Sequence, residues 1–323
     1  MKNIVISDYY YETLTAEKEL LDTDGFRLTA YRNSTEEELL ARAADCDALI
    51  VQFAPVTKKV ISHLTRCRII VRYAIGVDNI DLAAADEAGI MVCNVPDYCL
   101  DEVSTHAAML LLAVSRNLPL TQHLLCAGSC GYQDLRPLKA LPDSVVGLIG
   151  FGAIARLLAK KLSGFGPRIL AYDPYADPAC AAELGVELTD LNTLLCHSDL
   201  ISVHCPLTTD TRGLIGADAF AKMKRGVCLV NTARGGIIDE TALLDALNDG
   251  IVSAAGLDVL AQEPVRPDHP LLRHPNVILT PHVAWYSETS AARLQRSVAE
   301  EVRGVLEGQP PRHMVNHPAK KEA

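Results

Sequence analysis

Twice along this chain, short apolar runs alternate with amphipathic helical stretches, and Pro96 interrupts the pattern between the two series. No other feature limits the fold as much. A strand, a helix and a further parallel strand close as a right-handed unit, and repeated units build a parallel sheet covered by helices on both faces. In the first series strands are expected over residues 3–7, 48–52, 68–73 and 90–95. Helices are expected over 35–44, 56–64 and 80–88, with Thr35 and Glu38 spaced as a capping box and Gly89 as a stop. In the second series strands fit 144–149, 168–172, 200–204, 227–231, 254–258 and 277–280, and helices fit 153–163, 191–197, 217–223 and 240–248. The expected fold class is α/β, with two doubly wound parallel-sheet domains.

Three stretches fall outside the alternation. Residues 97–117 read as one long helix, apolar on most sides through 107–114, and such a helix is buried in a large core or against another subunit. Residues 118–143, with several Gly and Pro, read as an extended arm. An arm beside that helix points to a homodimer. Residues 287–307 form an amphipathic pattern, with Ser287 as cap and Gly308 past the end, expected to pack back onto the first domain.

Composition removes several classes. A length of 323 residues suits about two domains at roughly 150 residues each. With 40 acidic against 30 basic residues the net charge is −10, which weighs against a nucleic-acid partner. No run approaches the roughly 18 to 20 apolar residues of a membrane helix. The first residues lack the pattern of a signal peptide, so a cytoplasmic location is expected. The ten cysteines show no C-x-x-C pair, the nearest being Cys126 with Cys130, and read as reduced thiols with no metal site.

The expected strand 144–149 runs into Gly150-Phe151-Gly152-Ala153-Ile154-Ala155 and then a helix. Gly150 permits a tight turn, Gly152 lets the backbone approach a pyrophosphate, and Ala155 still allows close helix–sheet packing. The helix N-terminus offers N–H groups and a positive dipole to phosphates. Asp173 closes the next strand, 23 residues after Gly150. A carboxylate there accepts from a ribose 2′-OH and repels a 2′-phosphate, so NAD is expected in preference to NADP.

Three further strand ends carry chemistry: Asn231-Thr232-Ala233-Arg234-Gly235-Gly236, Asp258 leading to Glu263-Pro264, and Thr280-Pro281-His282. Each side chain alone has a bland reading: Arg234 as a strand-end cap, Glu263 as a solvated turn, His282 as a structural histidine. Together, at carboxyl ends of strands beside a dinucleotide turn, they form a set for 2-oxo acid reduction. Arg234 would anchor the substrate and polarise its carbonyl. His282 would exchange the proton with the substrate oxygen, and Glu263 would fix its tautomer. Arg72 follows an apolar strand, where a buried guanidinium wants a partner, either a substrate carboxylate or a neighbouring Asp. His106, on the long helix, reads first as a packing residue at a helix interface, with a place near the cleft as the alternative.

These motifs, with Arg72-Tyr73-Ala74-Ile75-Gly76-Val77-Asp78-Asn79-Ile80-Asp81, resemble the NAD-dependent D-2-hydroxyacid dehydrogenases along nearly the whole chain. The resemblance implies that Arg234, Glu263 and His282 are catalytic and that Ile75 and Gly76 offer N–H groups to the substrate carboxylate. It implies cofactor contacts from Gly150, Phe151, Gly152, Ala153, Ile154, Asp173, His204, Cys205, Pro206, Asp210, Thr232, Ala233, Arg234, Asp258 and His282. It also implies a flavodoxin-like substrate domain from residues 1–97 and 287–323, and a Rossmann NAD-binding domain at 98–286 with a dimerisation helix and arm at 97–143. A cleft would separate the two. Within the family, residues 94–99 and 282–288 are most similar to the C-terminal-binding-protein branch, which adds Arg72 and Trp285 as substrate contacts. Trp285 also reads as a hydrophobic lid at the hinge. Two competing readings follow: an NAD(H)-sensing oligomeric interaction protein with little turnover, and an enzyme oxidising formate or phosphite. Two arginines suit a carboxylated substrate better than a minimal anion.

Overall fold

The computed structural model describes residues 1–128 and 130–319. Ser129, inside the expected arm, and residues 320–323, at the end of the expected first domain, lie outside the described residues. The chain divides into two compact units, Met1–Cys99 with Ser287–Ala323, and Leu100–Tyr286.

The first unit runs β1 (Lys2–Ile6), α1 (Thr15–Leu21), β2 (Phe26–Ala30), α2 (Glu36–Arg42), β3 (Ala48–Val51), α3 (Lys58–His63), β4 (Ile69–Arg72), α4 (Leu82–Glu87) and β5 (Met91–Cys93). Its five strands are parallel in the order β2-β1-β3-β4-β5, the flavodoxin-type order that reverses between β1 and β3. Helices on both faces explain why β3 is buried at all four residues and reads as continuous apolar sequence. On one face Leu49, Val51, Ile70 and Val92 pack with Leu39 of α2, Val60 of α3 and Ala84 of α4. The capping box forms as expected: Glu38 N donates to Thr35 Oγ1 and Thr35 N to Glu38 Oε2.

The second unit runs α5 (Leu100–Ser115), α6 (Leu118–Cys126), β6 (Val145–Ile149), α7 (Ala153–Leu162), β7 (Arg168–Tyr172), α8 (Pro178–Glu183), β8 (Val186–Leu188), α9 (Leu191–His197), β9 (Leu200–Val203), α10 (Ala217–Phe220), β10 (Val227–Asn231), α11 (Glu240–Asn248), β11 (Val252–Leu257) and β12 (Val277–Leu279). The seven parallel strands lie in the order β12-β11-β10-β9-β6-β7-β8, a Rossmann-type sheet that reverses between β6 and β9. The carboxyl ends of β6, β9, β10 and β11 therefore converge beside that reversal, where open α/β sheets bind ligands. α5 sends Ala107, Leu110, Leu111 and Val114 into this unit's own core. α12 (Glu288–Leu306) returns to the first unit and packs on α1 and β4, with Ser287 accepting from Ser290 N and Gly308 in a left-handed turn past its end.

One expectation is corrected. Residues 118–143 are not an extended arm. They open with the nine-residue helix α6 and include short 3-10 turns at Tyr132–Leu135 and Leu141–Asp143. Asn117, at φ 52°, ends α5 in the left-handed region, and Pro119 then sits in the first turn of α6, where a missing N–H costs nothing. Pro119 is thus a helix start signal within the stretch whose Gly and Pro pointed to an arm. The structure also adds α1 and β2, and α8 and β8, which the periodicity did not reveal.

Candidate active site

The dinucleotide turn is built by steric necessity. Gly150 has φ 91°, and a Cβ there would stand 2.5 Å from Cys205 N and 2.8 Å from His204 C. Only glycine lets β6 turn against the loop after β9. Gly152 is different: it caps α7, has ordinary φ, and a Cβ would meet no protein atom within 4 Å. The N-terminus of α7 has no side-chain cap. Space above a glycine and uncapped N–H groups at the start of a ten-residue helix fit a phosphate. Ala155 is fully buried against the sheet, and Phe151 belongs to the core. Phe151 N donates to Asp173 Oδ2 at 2.8 Å, and Tyr175 N to Asp173 Oδ1 at 2.9 Å. Asp173 thereby stands beside the turn at the end of β7.

The loop after β9 carries His204, Cys205, Pro206 and Asp210. His204 meets Ser202 Oγ through Nε2 at 2.8 Å, and burial pushes its imidazole down to about 4, so it is neutral at neutral pH. Burial likewise lifts the Cys205 thiol to about 11. Pro206 O accepts from Thr211 Oγ1, and Asp210 is exposed. After β10, the buried Thr232 Oγ1 has no hydrogen-bond partner among the described residues. A buried hydroxyl without a partner, just past the carboxyl end of β10, again fits a polar ligand.

The loops that carry Arg234, Glu263 and His282 interlock. Asn231, 1% exposed, accepts from Ala233 N and donates through Nδ2 to Arg234 O, bending the chain so that Arg234 leaves the strand. Arg234 Nη1 donates to Ala233 O. A Cβ on Gly235 would fall 1.9 Å from Leu260 C, so this loop lies directly on the one bearing Glu263. Leu260 N donates to Glu263 Oε1 at 3.1 Å, and Glu263 Oε2 accepts from His282 Nδ1 at 2.7 Å. Burial acts to raise the Glu263 carboxyl. The hydrogen bond and charge of His282, the Leu260 N–H and the Arg234 guanidinium outweigh it and hold Glu263 below the ordinary carboxylate value. An ionised carboxylate only accepts, so Nδ1 carries the proton and Nε2 is the ring nitrogen that Glu263 does not engage.

His282 has φ 55°, one of two non-glycine residues in the left-handed region among those described. That backbone costs a non-glycine residue about 1–3 kcal/mol and clusters at functional sites. It is held from below. His282 N donates to Asp258 O, Val283 N to Asp258 Oδ1 and Ala284 N to Asp258 Oδ2. Asp258, expected as a cofactor contact, is 2% exposed and gives both carboxylate oxygens to this loop. Thr280 and His106 complete the bracket: Thr280 Oγ1 donates to Asp258 Oδ1, and His106, expected chiefly at a helix interface, meets Thr280 Oγ1 through Nε2. Trp285 packs edge-on to Tyr286, ring centroids 5.4 Å apart.

The other expected residues lie in the first unit. Arg72, at the end of β4, donates through Nε to Gln52 O and through Nη1 to Gly76 O, with Asp78 Oδ2 3.7 Å away. The neighbouring Asp is thus one partner of this arginine. No protein acceptor among the described residues meets the N–H groups of Ile75 and Gly76. Among the described residues no His, Cys, Asp and Glu cluster suits a metal, all ten cysteines are thiols, and no helix is long and apolar enough to cross a membrane.

The family model for the D-isomer specific 2-hydroxyacid dehydrogenase NAD-binding domain matches residues 108–284, the stretch that carries the glycine turn and the interlocked loops. The chain belongs to the D-isomer specific 2-hydroxyacid dehydrogenase family. A D-3-phosphoglycerate dehydrogenase of Mycobacterium bovis is 41% identical over 274 residues, 84% of this chain and 52% of that protein. A glyoxylate reductase of Korarchaeum cryptofilum is 37% identical over 287 residues, 87% of this chain and 86% of that protein. The crystal structure of a D-lactate dehydrogenase from Aquifex aeolicus, complexed with NAD and lactic acid, matches with TM-score 0.85 at 27% identity, covering 95% of this chain and 96% of that one. The chain spans about half the length of the phosphoglycerate dehydrogenases it matches. The parallel sheets and interleaved helices are those expected of 2-hydroxyacid dehydrogenases.

Proposed function

We propose that the chain is an NAD-dependent dehydrogenase that interconverts a small 2-oxo acid and the D-2-hydroxy acid. The observation that carries this is His282: a histidine in a left-handed backbone, its Nδ1 bound to a carboxylate held ionised, beside an arginine whose loop is pressed against that carboxylate's own loop. With Nδ1 engaged by Glu263, such a pair leaves Nε2 to exchange a proton with a substrate oxygen. Arg234 would bind the substrate carboxylate and polarise the adjacent carbonyl. Arg72, Trp285 and the N–H groups of Ile75 and Gly76 are proposed substrate contacts.

When bound, a nicotinamide supplies the hydride. Gly150, Phe151, Gly152, Ala153 and Ile154 would hold its pyrophosphate, and Asp173 the adenosine ribose, favouring NAD over NADP. His204 to Asp210, Thr232, Ala233 and Arg234 would line the rest. Asp258 would contribute through the loop it supports. We also propose a homodimer through α5 and α6. No residue of α6 is buried within the chain, and Met109, Leu118, Leu125 and Tyr132 are exposed.

The test is NADH oxidation with glyoxylate, hydroxypyruvate, pyruvate and longer 2-oxo acids. Steady turnover with at least one is expected. His282→Ala should then lose at least about 100-fold in kcat while still binding NADH. A broad panel without turnover would end the reading, and full activity in the variant would remove His282 from it.

A further inference from the structure

Behind His282, three side chains cross from α5 to the catalytic loop. His106 Nε2 stands 2.9 Å from Thr280 Oγ1, Thr280 Oγ1 stands 2.5 Å from Asp258 Oδ1, and His106 Nε2 lies 3.6 Å from that same oxygen. Proton inventory fixes the direction of these bonds. A carboxylate accepting from the Val283 and Ala284 amides has no proton to give, so the Thr280 hydroxyl donates to it. That hydroxyl has a single proton, so His106 must donate to Thr280 through Nε2–H. Among the described residues His106 is also the only basic side chain within ion-pair reach of the Asp258 carboxylate, whose side chain is 1% exposed.

Resting on the reaction assigned above, we propose that His106 is a positioning residue for His282. Its Nε2–H holds the Thr280 hydroxyl against Asp258 and so keeps both Asp258 oxygens turned to the amides of residues 283 and 284. The same residue's carbonyl carries the His282 amide. The bracket therefore holds His282 in its left-handed backbone, with the ring on Glu263. A substrate-side proton donor displaced by even about 1 Å can lose on the order of 100-fold in rate, so the bracket that positions His282 bears on turnover.

Three variants test this. His106→Leu removes the donor, His106→Gln keeps an N–H on a side chain of similar reach, and Thr280→Val removes the hydroxyl at nearly constant volume. With NADH and glyoxylate, or whichever 2-oxo acid is turned over, His106→Leu and Thr280→Val should each lower kcat by about tenfold or more. KM for NADH should stay within about twofold, since cofactor binding is not what the bracket holds. The double variant should be no slower than the slower single one, and His106→Gln should recover most of kcat. Hydrogen exchange at the amides of residues 282–284 should speed up in His106→Leu and not in His106→Gln. Exchange is readable even if the wild type turns over no 2-oxo acid, an outcome that would sink the reaction and leave the bracket to be judged by exchange alone. A folded His106→Leu variant with wild-type kcat and wild-type exchange overturns the proposal. So do additive losses in the double variant, or equal losses for Leu and Gln. If His106→Leu does not fold, Thr280→Val decides by the same readouts.

Discussion

Glu263 and Asp173 are both carboxylates at loop positions, and their surroundings set different tasks. Glu263 is held below the ordinary carboxylate value by His282, Leu260 N–H and Arg234 against the opposing effect of burial. A depressed carboxylate stabilises the fold above its unfolded value, 4.5, and that contribution fades as pH falls through the lower folded value. Glu263→Gln cannot titrate. The melting temperature of the wild type should therefore exceed that of the variant near neutral pH, and the gap should close as pH falls below about 4.5. A gap that does not change with pH would mean that Glu263 is not ionised by its partners. The same variant should lose about tenfold or more in kcat, because Nδ1 of His282 loses its anionic acceptor. Asp173, beside the glycine turn through Phe151 N, is expected to set cofactor choice. Asp173→Ala should raise the use of NADPH relative to NADH, read as the ratio of kcat/KM values, by about tenfold. An unchanged ratio would remove Asp173 from the ribose site.

At the scale of elements, the two glycines of the β6–α7 turn separate folding from binding. Gly150 is fixed by the protein itself, through its φ of 91° and the backbone of Cys205. Gly152 answers to nothing in the protein, since a Cβ there meets open space. Gly150→Ala should lower the melting temperature and NADH affinity together. Gly152→Ala should leave the melting temperature within about 1 °C, as for a surface substitution, and weaken NADH binding in a fluorescence titration. Normal NADH affinity in Gly152→Ala would place the pyrophosphate elsewhere. Elements also show where periodicity fails. The second-series strands 168–172 and 227–231 and the helices 191–197 and 240–248 fall where spacing put them, because fully covered parallel strands are apolar throughout. β2 and β8 are edge strands of mixed exposure, and α1 follows Leu14, an N-cap residue with no side-chain cap, so neither pattern nor cap announces them. α8 did carry a signal: Asp177 accepts from Ala179 N and Pro178 follows in the first turn.

At the scale of the molecule, the two units use the same doubly wound logic with different strand orders, and one of them is contiguous in sequence while the other is not. The exposed apolar residues of α5 and α6 are where the proposed dimer would form. Leu125→Glu should convert a dimer to a monomer in sedimentation velocity, since a charge placed in an apolar interface is left unpaired. A monomeric wild type would remove the dimer from the reading. The sequence by itself determined the α/β class and the glycine turn, and it marked Arg234, Glu263 and His282 as the candidate set, because periodicity and local hydrogen-bonding chemistry are written in short stretches. Only the tertiary structure decided that Gly235 must be glycine against Leu260 and that Asp258 turns inward to hold its neighbours. It also decided that His106 reaches Thr280, 174 residues away in the chain. Those relations depend on which loops meet at the carboxyl ends of a sheet, and spacing along a chain carries no record of distances across it.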